Sequence, residues 1–371
     1  VPKKKSSAKN GGIADFLTPK YIFAAVAMIA LVILEISHAS PTVIFVVACV
    51  TLVPLAAIIG QSTEMLAEHT GPKVGGFLNA TLGNAAELII TLVALKAGYL
   101  ELVKASITGS AIGNLLLVCG LAMFLGGVRH GVQKFDQHTA KLYATMLFSV
   151  VMLFSIPTIF IHTTEGAPKA TVNELSLGLA VGMFIVYALG MYYSFTSSST
   201  TPLARPSAEH GHKLWSLQKS GVVLVVSTIL VVGASEMLVG SIEHVLKSFP
   251  GVSEFFLGFI IIPIVGNIAE HIVAVQVSYK KNDMTLAMEI AVGSSLQILL
   301  FVAPALVFAS LLFSHQLNLV FNLFEWAALI GTCVIVSRVS DDGETNYFEG
   351  GILILMYAMV AWACFELPVV G

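Results

Sequence analysis

The sequence predicts an all-α polytopic membrane protein of about 11 transmembrane helices, one extra N-terminal helix followed by two inverted-topology repeats of five. Three observations carry that prediction. Only 11% of the 371 residues are Asp, Glu, Lys or Arg while 56% are hydrophobic, with a mean hydropathy of +0.88; a soluble domain carries about a quarter of its residues as charges. Apolar runs close to the roughly 20 residues needed to cross a bilayer recur along the chain. Short polar motifs inside those runs occur twice, in the same order.

From the N-terminus, Val1-Pro2-Lys3-Lys4-Lys5 is basic, but no short apolar core with a small-residue cleavage site follows. The first apolar run therefore reads as a retained helix rather than a signal peptide, preceded by a connector from Gly11 to Thr18 along the membrane surface. Reading between polar breaks, the expected spans are 21–37, 41–68, 74–97, 101–126, 139–162, 172–196, 216–247, 253–279, 283–313, 319–339 and 345–366. The second, seventh and ninth exceed one membrane thickness, so they tilt or protrude. Ser197 to Trp215, rich in Ser, Thr and Pro with Arg205, Glu209, His210, His212 and Lys213, reads as a cytoplasmic linker too short for a domain.

The loops test this order. With the N-terminus in the cytoplasm, only Lys96, Lys104, Lys169 and Lys247 of the 19 Lys and Arg residues fall outside, the asymmetry that the positive-inside rule expects. A formal net charge of −3 leaves no basic footprint for nucleic acid. Cys49, Cys119, Cys333 and Cys364 lie far apart in apolar stretches, which suits packing residues rather than a disulfide framework or a zinc site.

The repeat is visible in three places. Ser62-Thr63-Glu64-Met65-Leu66 resembles Ala234-Ser235-Glu236-Met237-Leu238, Gly83-Asn84-Ala85-Ala86-Glu87 resembles Gly266-Asn267-Ile268-Ala269-Glu270, and Gly109-Ser110 matches Gly293-Ser294. Helices two to six and seven to eleven then form two units of five, and an odd number makes the second enter from the opposite side. The expected organisation is 1–38 for the N-terminus and first helix, 39–196 for the first repeat, 197–215 for the linker and 216–371 for the second repeat.

Acids inside apolar helices cost at least about 2.5–3.5 kcal/mol at the helix centre on insertion scales, so they face the protein interior and mark function. Glu87 and Glu270 occupy symmetry-related places near the middle of helices three and eight, with Asn84 and Asn267 one turn before them on the same face. Thr81 and Thr91 extend that stripe, and Pro263 should leave the carbonyl of Phe259 without its usual donor. Carboxylates, amide oxygens and freed carbonyls are the ligands of a hard cation such as calcium; no Cys or His pair accompanies them, which argues against zinc or copper. Ser106, Ser110 and Asn114 form one stripe of helix four, and Ser294, Ser295 and Gln297 the related stripe of helix nine. These are candidates for an added cation or proton pathway, the serines equally fitting helix-to-helix hydrogen bonding. Glu64 and Glu236 form a second symmetric pair, read as gating the access routes against the alternative of interfacial helix-end acids. His271 has no counterpart in the first half, where Leu88 stands; it either tunes Glu270 or bonds across helices. Glu289 and Glu35 carry no assignment.

A divalent cation neutralises two buried carboxylates, and so do protons, so the two compete for one site. That competition is the minimum physics of a cation/proton antiporter.

These residues resemble the calcium/proton exchangers of the cation/calcium exchanger superfamily. One stretch runs from Gly83-Asn84-Ala85-Ala86-Glu87 through Ala94-Leu95-Lys96-Ala97-Gly98 to Gly109-Ser110, Asn114 and Gly126-Gly127; the other from Pro263-Ile264-Val265-Gly266-Asn267-Ile268-Ala269-Glu270-His271 to Gly293-Ser294-Ser295-Leu296-Gln297. The resemblance implies eleven helices, central acids at Glu87 and Glu270, and metal oxygens from Asn84 and Asn267. It implies Ca2+ and H+ as transported ions, other divalent cations such as manganese or cadmium being alternatives, with no resident cofactor and no enzyme activity. The alanine before each central glutamate, where sodium-coupled relatives carry a proline-containing variant, favours protons as the coupling ion. The linker lacks the acidic run that family members often carry, which with the short termini suggests a prokaryotic cell membrane rather than a vacuolar one. A zinc protease would need a His-Glu-x-x-His helix, which Glu270-His271-Ile272-Val273-Ala274 does not supply. A passive channel would favour symmetric charged rings.

Overall fold

The computed structural model describes residues 18–164, 168–196 and 215–367. The expected connector Gly11 to Thr18 and linker Ser197 to Trp215 lie outside these except at Thr18 and Trp215. The helices are α1 Pro19–Ile36, α2 Pro41–Leu82, α3 Ala85–Ala97, α4 Leu100–His130, α5 Gln137–Thr163, α6 Lys169–Thr196, α7 Leu217–Ser248, α8 Glu254–Lys281, α9 Met284–Ser310, α10 Leu323–Val339 and α11 Tyr347–Glu366. Among the described residues, nine helices are long and apolar enough to cross a membrane. α3, with 13 residues, and α10, with 17, are not among them. The apolar residues Val26, Ile29, Ile33, Ile185, Leu189, Val222, Ile229 and Leu355 are exposed on α1, α6, α7 and α11, the outward face that lipid would cover.

The turn expected between 68 and 74 appears as a bend. Helical hydrogen bonding runs through Gly71-Pro72, yet a Cβ on Gly75 would strike the backbone of Ala67. Eight residues of straight helix would separate those two positions by about 12 Å. The expected span 74–97 is therefore an arm of α2, a break at Gly83-Asn84, and α3. In the second half the matching Gly266-Asn267 stays inside a continuous helix.

Three π-turns interrupt the inner helices: Gly113–Val118 in α4, Leu257–Ile261 in α8 and Ile298–Val302 in α9. Two have a visible cause. Pro263 and Pro304 lack the N–H that the carbonyls of Phe259 and Leu300 would accept four residues back, and both carbonyls lie inside π-turns. No proline follows the first.

The loops after α3, α4, α7, α8, α9 and α10 gather at two ends of the bundle. At one end of the bundle Arg129 lies 4.6 Å from the Tyr279 ring centre, Gln133 donates to Asn282 at 2.8 Å, and Lys134 pairs with Glu344 at 2.9 Å across a two-stranded ladder of Gln133–Lys134 with Glu344–Thr345. At the other, the backbone N–H of Leu102 donates to Glu254 at 3.0 Å, Lys104 to the Val320 carbonyl at 3.2 Å and Asn173 to Gln316 at 2.6 Å. α4 thus packs along α8 with both ends fastened, and glycines set the approach: a Cβ on Gly109 would overlap the Phe259 carbonyl, and one on Gly258 the Leu102 carbonyl. Cys119, Cys333 and Cys364 are buried, Cys49 is half-buried, and all four are free thiols.

Candidate cation site

α3, α4, α8 and α9 meet at the paired acids. The break at Gly83 gives Asn84 the N-cap position of α3, but its side chain does not cap the helix. It reaches across to the second half instead, donating to Gln297 Oε1 at 2.7 Å and accepting from Ser294 Oγ at 2.9 Å. Glu87, expected mid-helix, stands in the first turn of α3, where the helix macrodipole favours negative charge. It is 2% exposed.

The arrangement is reciprocal. Ser110 on α4 donates to Glu87 Oε1 and accepts from Asn267 Nδ2 of the second half at 3.4 Å. Ser294 on α9 stands within hydrogen-bonding reach of Glu270 and donates to Asn84 of the first half. Each asparagine therefore meets the serine–glutamate pair of the other half. Ser295 adds a bond from its hydroxyl to the Ala111 carbonyl at 3.2 Å, again between halves.

Glu87 Oε2 and Glu270 Oε2 are buried and have no hydrogen-bond partner. Buried carboxylate oxygens are rarely left so. Glu270 itself is half-buried. Among the described residues no three His, Cys, Asp or Glu side chains gather as a metal cluster. Two carboxylates with the oxygens of Asn84, Asn267, Ser110 and Ser294 make a hard donor set, suited to calcium rather than zinc.

Other expected residues land differently. The Phe259 carbonyl, expected among the ligands, is turned against Gly109, because the two helix backbones touch there. Thr91 and Thr81 hydrogen-bond back to their own helices, at 2.8 Å to the carbonyls of Glu87 and Phe77. Ser106 is fully buried and its hydroxyl has no partner. Asn114 lies in the α4 π-turn and accepts from His271 Nε2 at 2.9 Å, so His271 bonds across helices. Glu64 is half-buried on α2 whereas Glu236 is exposed on α7, so the symmetry of that pair does not extend to its surroundings. Glu289 is buried on α9.

The sequence matches the family described as sodium/calcium exchanger protein over residues 40–196 and 219–365. The chain belongs to that family. Among the exchangers it is similar to the Ca(2+)/H(+) antiporter ChaA of Bacillus subtilis, at 40% identity over 94% of this chain and 99% of that protein. It is also similar to the Ca(2+)/H(+) antiporter of Aphanothece halophytica, at 40% identity over 90% of this chain and 92% of that one. The solved structure of native YfkE superposes with a TM-score of 0.81 at 38% identity, covering 94% of this chain and all of that one. The expected likeness to the calcium/proton exchangers is thus met, on a helical multi-pass membrane fold. One buried acid escaped the sequence reading. Glu325 at the start of α10 is 3% exposed, accepts from Thr108 Oγ1 at 2.9 Å and closes a capping box with Asn322. The Asn-x-x-Glu spacing was its signal.

Proposed function

We propose that this chain is a secondary active transporter exchanging Ca2+ for H+ across a membrane by alternating access, with Glu87 and Glu270 binding either the cation or protons. The observation that carries the reading is the pair of glutamates, each with a buried, unpartnered oxygen, where asparagine and serine from both halves meet. Its relatives at 40% identity bear the name Ca(2+)/H(+) antiporter, which supports the choice of ions.

In this reading residues 39–196 and 216–371 are two inverted five-helix repeats, joined by the cytoplasmic linker 197–215 and preceded by an added helix within 1–38. Asn84 and Asn267 lend oxygens to the metal. Ser110, Asn114, Ser294, Ser295 and Gln297 line the cation or proton route, while Glu64 and Glu236 gate it. The bound divalent ion neutralises both acids. When it leaves, protons take its place, because two bare carboxylates inside a low-dielectric bundle are too costly to carry across. No resident cofactor takes part, and the N-terminus lies in the cytoplasm of a prokaryotic cell.

The test is Ca2+ uptake into sodium-free proteoliposomes under an imposed pH gradient. Gradient-driven uptake is expected in the wild type and is abolished by Glu87→Gln and by Glu270→Gln, with both variants still folded by thermal melting. Uptake that appears only with added sodium, or proton-coupled uptake retained in either variant, would overturn the reading.

A further inference from the structure

The extra helix α1 puts a cation onto α2. Lys20 Nζ donates to the Ala57 carbonyl at 2.8 Å and to Gln61 Oε1 at 3.0 Å, and Tyr21 donates to the same amide oxygen at 3.4 Å. Glu64, one turn beyond Gln61, lies within electrostatic reach of the ammonium. Positions 57, 61 and 64 share one face of α2. A backbone carbonyl, an amide oxygen and a carboxylate are the donors that a hard divalent cation takes. In this structure a lysine ammonium, itself a compact cation with three donors, is bonded to the first two of these, with the carboxylate one turn beyond.

The second half has no copy of it. By the repeat alignment Ala57, Gln61 and Glu64 correspond to Ile229, Gly233 and Glu236; Ile229 and Glu236 are exposed, and the space over Gly233 is covered by Met28 of α1. α1 therefore lies across both repeats and presents its charge to one alone. An access acid with a fixed cation beside it in one half, and an exposed acid with no such cation placed on it by α1 in the other, makes the two routes electrostatically unequal.

We infer that the Ala57 carbonyl, Gln61 and Glu64 form a cation-entry subsite on the route to the paired glutamates, and that Lys20 closes it as a tethered competitor of the incoming divalent ion. The inference rests on the exchanger reading above. A competitor covalently held at a site lowers its apparent affinity by the fraction of time the site is closed, so a site open one-tenth of the time binds roughly tenfold more weakly.

The experiment is the Ca2+ dependence of pH-driven uptake by the full chain in sodium-free proteoliposomes, comparing wild type, Lys20→Gln, Lys20→Arg and Gln61→Leu, each checked by thermal melting. Lys20→Gln is expected to lower KM several-fold with the maximal rate little changed, while Lys20→Arg, which restores the cation, returns KM toward wild type. Gln61→Leu removes a ligand oxygen and is expected to raise KM. It keeps the test decisive should Lys20→Gln not fold. A wild type that exchanges while Lys20→Gln leaves KM unchanged or raises it overturns the subsite and leaves the exchanger standing, as does an unaltered KM in Gln61→Leu. A wild type without exchange overturns both.

Discussion

Ser110 does two jobs with one hydroxyl: its hydrogen goes to Glu87 and its lone pair takes the amide of Asn267. It therefore fixes the direction of the Glu87 carboxylate and ties that direction to the other half of the protein. Ser294 spends its hydrogen on Asn84 instead, which leaves Glu270 less firmly oriented. The two serines are equivalent in sequence and unequal in load. A hydrogen bond to a charged group contributes about 1.5–3 kcal/mol, which corresponds to more than a tenfold change in affinity. Ser110→Ala is expected to raise the KM for Ca2+ by about that factor, and Ser294→Ala to raise it less. The comparison is read from uptake rates against Ca2+ concentration, and equal effects would contradict the unequal loading.

At the scale of elements, backbone contact sets the geometry that the side chains exploit. α4 and α8 approach so closely at Gly109 that a Cβ there would overlap the Phe259 carbonyl, backbone that has no freedom to step aside. Gly109→Ala is expected to cost about 1–3 kcal/mol through overpacking, lowering the melting temperature. Gly240 on α7 offers the control, since nothing lies within 4 Å of its Cβ position. Gly240→Ala should leave stability unchanged or raise it, because alanine is the better helix former; a similar loss in both would place the cost in the helix rather than in the contact.

The span order and the Glu87–Glu270 pairing were legible because apolar run length and repeated motifs are properties of the sequence alone. So was the turn near Gly71-Pro72, although it survives as a bend within continuous helical bonding. The break before Glu87 was not. Gly83-Asn84 interrupts its helix while Gly266-Asn267 does not, and the dipeptide is the same. The fate of Phe259 was hidden for a related reason: a proline shows which carbonyl is freed, while only packing shows that Gly109 covers it. The seat of Lys20 depends on how α1 crosses α2, which no periodicity encodes.

For the whole molecule, the asparagines decide what the two halves can do separately. Asn84 contacts the second half and Asn267 the first, so neither glutamate keeps its surroundings if the halves shift independently. Charge and conformation are then coupled at one place. On the proposed function, a divalent ion bound by Glu87 and Glu270 expels the protons on the same oxygens, since both cannot neutralise one carboxylate pair at once. Ca2+ binding to the purified protein is therefore expected to release protons. Calorimetric titration in buffers of different ionisation enthalpy reads this directly: the apparent binding enthalpy should vary linearly with that of the buffer, with a slope equal to the protons released. Glu270→Gln should reduce the slope, because one proton-accepting group is gone while Glu87 and the asparagines remain to bind more weakly. An apparent enthalpy identical in every buffer, in a protein that binds Ca2+, would separate metal from proton and sink the shared-site mechanism even if the fold and the family stand.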